Sequence, residues 1–427
     1  MNYEKKTAIY NELLAQAETM QIIDSHEHLS SEQERISAPV TFTDLFKHYT
    51  ENDLYSLGLP KSDMDEMYSN ETSLERKWEI FHPAYELIKN GNYARCARIS
   101  MEKFYGYGDL TSLNDAIDVT EKMKANNTPG LYNRVLKDAC HIEKCVNFSN
   151  DWNVHEIFEQ VPFVDYLTEP VSMNLLQNIS SQVGGVHAEL DGYVQGLKLA
   201  LQKLKDKGAV GVKIVMAYNR DLRFELYDRS EAERLYRRLA IESLGWRPSV
   251  LGYQEMRPLQ NYLVHKLCEF SGEVGLPVVF HTGIQAGNCN HLDNSRPEFL
   301  YELFLRYPKT QYILLHAGLP WINETILLTK YYPNVFFDLA WVHMISNEIA
   351  KTTIKNYVEM APRNKIFGYG GDYNCVELVY GHLDLARKNI ACALADKVLD
   401  GQMTTDEAFK WQEAMLYSNP KKGYGLK

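Results

Sequence analysis

Two histidines one residue apart, His26 and His28, follow a short apolar run in QIIDSHEHLS, residues 21–30. Side chains alternate between the faces of an extended strand, so His26 and His28 share one face while Ser25 and Glu27 take the other. Two imidazoles side by side at a strand end can grip one metal ion; equally, they can be two solvated histidines, and only partners elsewhere in the chain give the pair meaning. Polar residues of the same chemical kind do close other apolar runs. Lys213 lies in GAVGVKIVMAY (208–218), His281 in GLPVVFHTG (275–283), His316 in QYILLHAG (311–318), Asp338 in NVFFDLAW (334–341) and Asp372 in KIFGYGGDYN (365–374). Neutral imidazoles with a carboxylate suit zinc, manganese or iron. A catalytic ion of this kind keeps a position open and brings the pKa of a bound water down to roughly 7. Asp372 can both ligate and take that water's proton, and His316 can protonate or polarise a substrate.

Each residue also has a bland reading. A buried histidine at a strand end is often a hydrogen-bonded structural group. Asp372, after GYGG, can cap the next helix. Asp338 can anchor a loop, and Lys213 can be paired within a layer of side chains. The weight lies in the joint pattern. His291, His343 and His382 read as surface or substrate-edge residues in loops or helices.

The elements that must position these side chains emerge from the hydrophobic pattern. Residues 4–19 carry Ile9, Leu13, Leu14 and Ala17 at helical spacing. After the His-Glu-His run, residues 30–139 read as mostly helical, polar and aromatic. That is long for a connection, which predicts a helical insertion lying over the active-site face. Short apolar runs then alternate with helical stretches: CHIEKCVNFS (140–149), QVPFVDYLTE (160–169), and the five runs named above, with helices around 297–306 and 322–331 and from about Val376 onward. Counting from residue 21 gives eight strands, each followed by helix. Continuous apolar strands separated by helices are buried parallel strands, and eight such units make a (β/α)8 TIM barrel, whose strand ends converge on one face. An open doubly wound sheet is the competing architecture, but it wants a Gly-rich phosphate turn after its first strand, where this chain has His-Glu-His.

Composition narrows the class. The 427 residues are 45% hydrophobic and 24% charged, a globular balance. Length admits two or three domains, or one barrel domain over 1–427 with an insertion. The net charge of −11 argues against nucleic acid and anionic membrane surfaces as partners. The start has no apolar core of signal-peptide length, no run of about 18 apolar residues appears, and the seven scattered cysteines form no C-x-x-C pair. A reducing cytoplasm is the expected compartment. The expected partner is a small-molecule substrate, with no nucleic acid and no membrane, and self-association into a homo-oligomer stays open.

The H-x-H on strand 1, histidines on strands 5 and 6 and an aspartate on strand 8 resemble the amidohydrolase superfamily, and more closely its amidohydrolase-related (amidohydrolase 2) branch. FHTG (280–283), LLHAG (314–318) and SNPKKGYGL (418–426) look like motifs of that branch. VKIVMAYNR (212–220) and the run from YYPNVFFDLAW to KIFGYGGDY look like relatives fused to glutamine-synthetase-like domains. Over the insertion only NYARCARISMEKFYGYGDL (92–110) is familiar. The resemblance implies one divalent metal ion, Zn2+ first and Mn2+ or Fe2+ as alternatives, held by His26, His28, His281 and Asp372, with His316 as the acid/base group. Two features depart from the pattern. Many members carry Ser or Thr before the strand 8 acid, where this chain has Gly371. Lys213 corresponds to a strand 4 lysine that bridges two metals in other members; a grip on a substrate carboxylate is the preferred role here. Arg95, Arg98 and Arg220 hint at an anionic substrate, with Arg220 taken as substrate-binding.

The expected activity is hydrolysis of an amide, lactone or related carbonyl bond in a small, carboxylated substrate. The alternative is a non-oxidative decarboxylase, with sugar-acid isomerisation ranked behind both. A purely structural metal site is disfavoured, because structural zinc sites close all four positions with Cys-rich sets.

Overall fold

The computed structural model describes the chain except residues 1, 153–154, 170–181, 186, 188, 227 and 245–251. Among the described residues eight strands succeed one another along the chain, each followed by helix except β2, which runs through a loop into β3: β1 (Ile22–Glu27), β2 (Ile142–Asn147), β3 (Phe158–Gln160), β4 (Val212–Ile214), β5 (Val278–Phe280), β6 (Tyr312–Leu314), β7 (Val335–Asp338) and β8 (Ile366–Phe367). Their order in the sheets is β1-β2-β3 and β4-β5-β6-β7-β8, and the β1–β2, β4–β5, β5–β6 and β6–β7 pairings are parallel. This is the β/α repeat of a TIM barrel. The residues of β1 and β4 to β8 are buried on both faces; β5, β6 and β8 read as unbroken apolar runs for that reason, whereas β1 buries Asp24, Ser25, His26 and Glu27 and β4 buries Lys213.

The chain divides into two compact units, neither of them continuous. The first comprises Met1–Phe158, Gln285–Asn290 and Asp338–Lys421; the second comprises Glu159–Ile284, His291–Phe337 and Lys422–Lys427.

In the first unit β1 is flanked by β2 and by the segment after β8. Ser25 N–H donates to Tyr369 O, Asp372 N–H to His26 O, and His28 N–H to Tyr373 O. The helix Val376–Leu399 packs against the opening helix Asn2–Thr19 and against Asn92–Tyr105. Residues 30–139 are mostly helical, including Leu74–Ile88, Asn92–Tyr105 and Leu113–Asn126. Ser73 and Ser112 cap two of these helices through their hydroxyls, and Gly106, at φ +80°, ends a third. The insertion rests on the segments after β7 and β8. Tyr49 stacks on Trp341 at 4.2 Å, Asn92 donates to His343 O, and Arg35 and Tyr105 both reach Glu377. Helix Asn92–Tyr105 approaches Gly381 so closely that a Cβ there would overlap Cys96 O.

In the second unit β4 to β6 and the start of β7 pair in register, Lys213 with Val279 and Val279 with Ile313. The third strand lies ahead of the run QVPFVDYLTE (160–169) and shares only Gln160 with it. Pro162 has no N–H for the ladder, so the strand stops at Gln160 and makes only a bridge from Phe163 to Lys213 before Asp165–Thr168 turns helical. The motif glycines at 283 and 318 pack against each other. A Cβ on Gly283 would lie 2.5 Å from Gly318 C, and one on Gly318 would overlap Thr325 Oγ1. The two glycines therefore reflect one close backbone approach.

Candidate metal centre

Strand β1 delivers both histidines to one point, as its alternation predicts. His26 Nε2 and His28 Nε2 are 3.1 Å apart, and Asp372 Oδ1 lies 3.3 Å from the first and 3.1 Å from the second. Among the described residues these three are the group whose donor atoms all fall within 4.8 Å of one another. Their neighbours fix orientation. His28 Nδ1–H donates to Phe148 O at 3.1 Å, which leaves the Nε2 lone pair directed at the cluster. Phe148 stacks on the His26 ring at 3.8 Å. Asn147 holds both Leu29 N–H and Leu29 O, pinning the chain just after the pair. Two imidazole nitrogens and a carboxylate oxygen, crowded together and largely buried, are a donor set that fits a borderline divalent cation.

Asp372 has φ +58°, an unusual conformation for a non-glycine residue. It does not cap the next helix, whose N-cap is Cys375. Behind it stand two acids that sequence reasoning did not single out. Asp24 Oδ1 accepts from His26 N–H and Gly371 N–H, and Glu27 Oε2 accepts from Tyr373 N–H at 2.7 Å. Burial pushes the Asp24 carboxyl up to about 7 and Glu27 well above its ordinary range, and the charge of Asp24 raises Glu27 further. Asp24 Oδ2 and Glu27 Oε1 find no other donor, which fits a proton shared between the pair. Glu27 also accounts for the departure at Gly371, where a Cβ would overlap Glu27 Oε1. Asp338 behaves as an anchor: it accepts from Ser25 Oγ–H at 2.8 Å and from Ala340 N–H.

The insertion contributes His48, also unforeseen. Its ring stacks on Tyr49 at 3.9 Å and faces Tyr373 at 6.0 Å, and its Nδ1 is buried without a hydrogen-bond partner. Burial pushes its pKa down to about 4, against the pull of the Asp372 charge, so it is neutral at physiological pH. The signal available in the sequence was a histidine beside tyrosines in a stretch otherwise read as a lid. His343 and His382 are not surface residues. Both are buried; His343 Nε2–H donates to Gly368 O at 2.8 Å and His382 Nδ1–H to Gly371 O at 2.9 Å. Helical periodicity hid this, because the helix carrying His382 is buried on nearly every side. His291 lies exposed in a loop of the second unit.

The remaining expected site residues are in the second unit. His281 and His316 are buried with ring centroids 4.7 Å apart, edge to face, and Tyr218 sits 4.8 Å from His281. His281 Nε2–H donates to Ile284 O at 2.9 Å, which places the lone pair on Nδ1. His316, Ala317 and Gly318 all have positive φ. Lys213 is buried in its sheet, and the neighbouring Asp165, which accepts from Val215 N–H, is pushed by burial up to about 7. The Arg220 guanidinium donates to Gln260 Oε1, Asp221 O and Arg223 O. These contacts clamp its own loop, the bland role for a buried arginine. Arg95 and Arg98, on the insertion, line a pocket of about 390 Å3 with Lys89 and Glu102, and Arg98 spends donors on Gly108 O and Lys89 O.

The chain is 25% identical over 234 residues to the protein fluG of Emericella nidulans, a match that covers 53% of this chain and only 27% of the length of fluG. Two solved structures share its fold. Glucuronate isomerase from Caulobacter crescentus superposes with a TM-score of 0.77 at 19% identity, covering 99% of this chain and 95% of that one. Uronate isomerase from Thermotoga maritima gives 0.79 at 14% identity, covering 98% and 97%. No described helix is long and apolar enough to cross a membrane. The family model described as Amidohydrolase matches residues 181–426, more than half of the sequence and including His281, His316 and Asp372, and the chain belongs to that family.

Proposed function

We propose that the protein is a metal-dependent hydrolase of a small, carboxylated substrate bearing an amide, lactone or related carbonyl bond. The observation that carries this reading is the convergence of His26 Nε2, His28 Nε2 and Asp372 Oδ1 at 3.1–3.3 Å. These residues would hold one divalent ion, Zn2+ first, and the family resemblance adds His281 as a further ligand. Such an ion, when bound, supplies Lewis acidity and activates water at neutral pH. Asp372 accepts the proton of the attacking water. His316 donates a proton to the leaving group. Lys213 is assigned to the substrate carboxylate, as the buried charge that recognises it. The helices of residues 30–139 form the wall over the centre, with neutral His48 as an uncharged hydrogen-bonding group beside Asp372.

A second reading is isomerisation of a sugar acid. It is favoured by the likeness in fold to two uronate isomerases along 98% or more of this chain, the insertion included. The test is a screen of Zn2+-loaded protein against carboxylated lactones, N-acyl amides and hexuronates in water enriched in 18O. Hydrolysis adds one labelled oxygen to the product. A product of unchanged mass from a hexuronate overturns the hydrolase reading for the isomerase one, and release of carbon dioxide overturns both for a decarboxylase.

A further inference from the structure

The backbone around Asp372 is held from both sides. Gly371 N–H donates to Asp24 Oδ1 at 3.2 Å, and Gly371 O accepts from His382 Nδ1–H at 2.9 Å. Asp372 N–H donates to His26 O at 2.7 Å. Tyr373 N–H donates to Glu27 Oε2 at 2.7 Å, and Tyr373 O accepts from His28 N–H at 3.0 Å. A non-glycine residue at φ +58° persists only where its surroundings over-determine it, and these bonds do so. Glu27 is the unusual member. It is fully buried, which is costly for an acid, and it occupies space that any side chain at 371 would take. Its neighbours in the chain are the two histidines themselves.

We infer that Glu27 is the positioning residue of the metal centre: seated in the gap left by Gly371 and bound to Tyr373 N–H, it fixes the left-handed backbone that aims Asp372 at His26 and His28. The inference rests on the reading that these three residues hold a divalent ion. Glu27 touches neither substrate nor ion; it acts through Asp372. Gly371 and Glu27 form one steric unit, so their substitutions must couple.

Cobalt binding to the full chain tests this, because Co2+ reports both affinity and ligand geometry through its visible spectrum. Glu27→Ala and Gly371→Ala should each weaken Co2+ binding by roughly tenfold or more, the usual effect of removing an outer-shell partner, and each should shift the visible bands. Gly371→Ala does so by evicting Glu27, and in the Glu27→Ala background it should therefore add little. Glu27→Gln, which keeps an oxygen for Tyr373 N–H, should hold near wild-type affinity and spectrum. Additive losses in the double variant, or a Glu27→Ala spectrum identical to wild type, overturn the inference and leave the metal reading intact. Gly371→Ala retains every hydrogen-bonding side chain and carries the test alone if Glu27→Ala does not fold: unchanged affinity and spectrum there also overturn it. Folded wild type that binds no Co2+ overturns the metal reading itself.

Discussion

Replacing His343 with Gln and His382 with Asn should make the protein much less sensitive to acid. Each replacement keeps the native donor in place, because the Gln amide reaches where Nε2 lies and the Asn amide where Nδ1 lies. The bonds to Gly368 O and Gly371 O can therefore survive. What is lost is the titration. Burial lowers the His343 pKa from 6.5 to about 4, and burial with the nearby His343 charge lowers His382 from 6.5 to about 3. A depressed folded pKa contributes stability that is fully present above 6.5 and is lost as pH falls, because the unfolded chain takes up protons that the folded chain refuses. Between about pH 7 and pH 4.5 both histidines stay neutral in the fold while their unfolded counterparts charge. The gap is about two pH units, worth about 2.5 kcal/mol per histidine and about 5 kcal/mol for the pair. That is a large share of the ~5–15 kcal/mol of a typical protein. The measurement is urea unfolding followed by tryptophan fluorescence at both pH values, with a chelator present so that loss of metal does not contribute. Asp24 and Asp165, each raised to about 7, gain stability on acidification, but they do so equally in both proteins and cancel. If wild type and the double variant lose the same stability between the two pH values, the buried neutral pair is not what the acid attacks, and the reasoning fails.

Purified protein should carry about one zinc-like ion per chain by elemental analysis, and His26→Ala with His28→Ala should lose it; freshly prepared wild type with no transition metal and no rescue by added metal would sink the centre. His316→Asn should retain most of the metal yet lower kcat by roughly 10²–10⁴-fold with a weaker effect on KM, whereas Asp372→Asn should damage both. If His316→Asn instead strips the metal while Asp372→Asn keeps it, the ligand and the acid/base group are exchanged. Gly381→Val drives a side chain into Cys96 O and Ser100 Oγ. It should cost about 1–3 kcal/mol and open residues 30–139 to limited proteolysis; an unchanged cleavage pattern would show that the insertion is not docked through this contact.

Periodicity in the sequence determined most of the β/α series, because strands covered on both faces are chiefly apolar and a helix between strands repeats at 3.6 residues. It therefore located β1, β2 and β4 to β8, and the helix Ile322–Tyr331, directly. Only β3 ran differently, where Pro162 broke a run whose composition alone was strand-like. The H-x-H spacing likewise determined that two imidazoles share a face, and the structure brings their Nε2 atoms to 3.1 Å. Tertiary structure decided everything that depends on which backbone comes near which. Glu27 could not be read as a partner of residues 371 and 373, more than three hundred positions away, because pairing between strand ends leaves no local pattern. Gly371 looked like a departure from the family until the space it leaves was seen to be filled by Glu27. His382 looked exposed because a helix wrapped on all sides loses the polar face by which exposure is judged, and His343 sits in the four-residue helix Val342–Ile345, too short to show any periodicity. His48 looked like part of a lid, and only the packing of Tyr49 on Trp341 brought it to Asp372. Local chemistry is written in spacing; the burial and pairing that tune it arise from contacts distant in sequence, and those the fold alone creates.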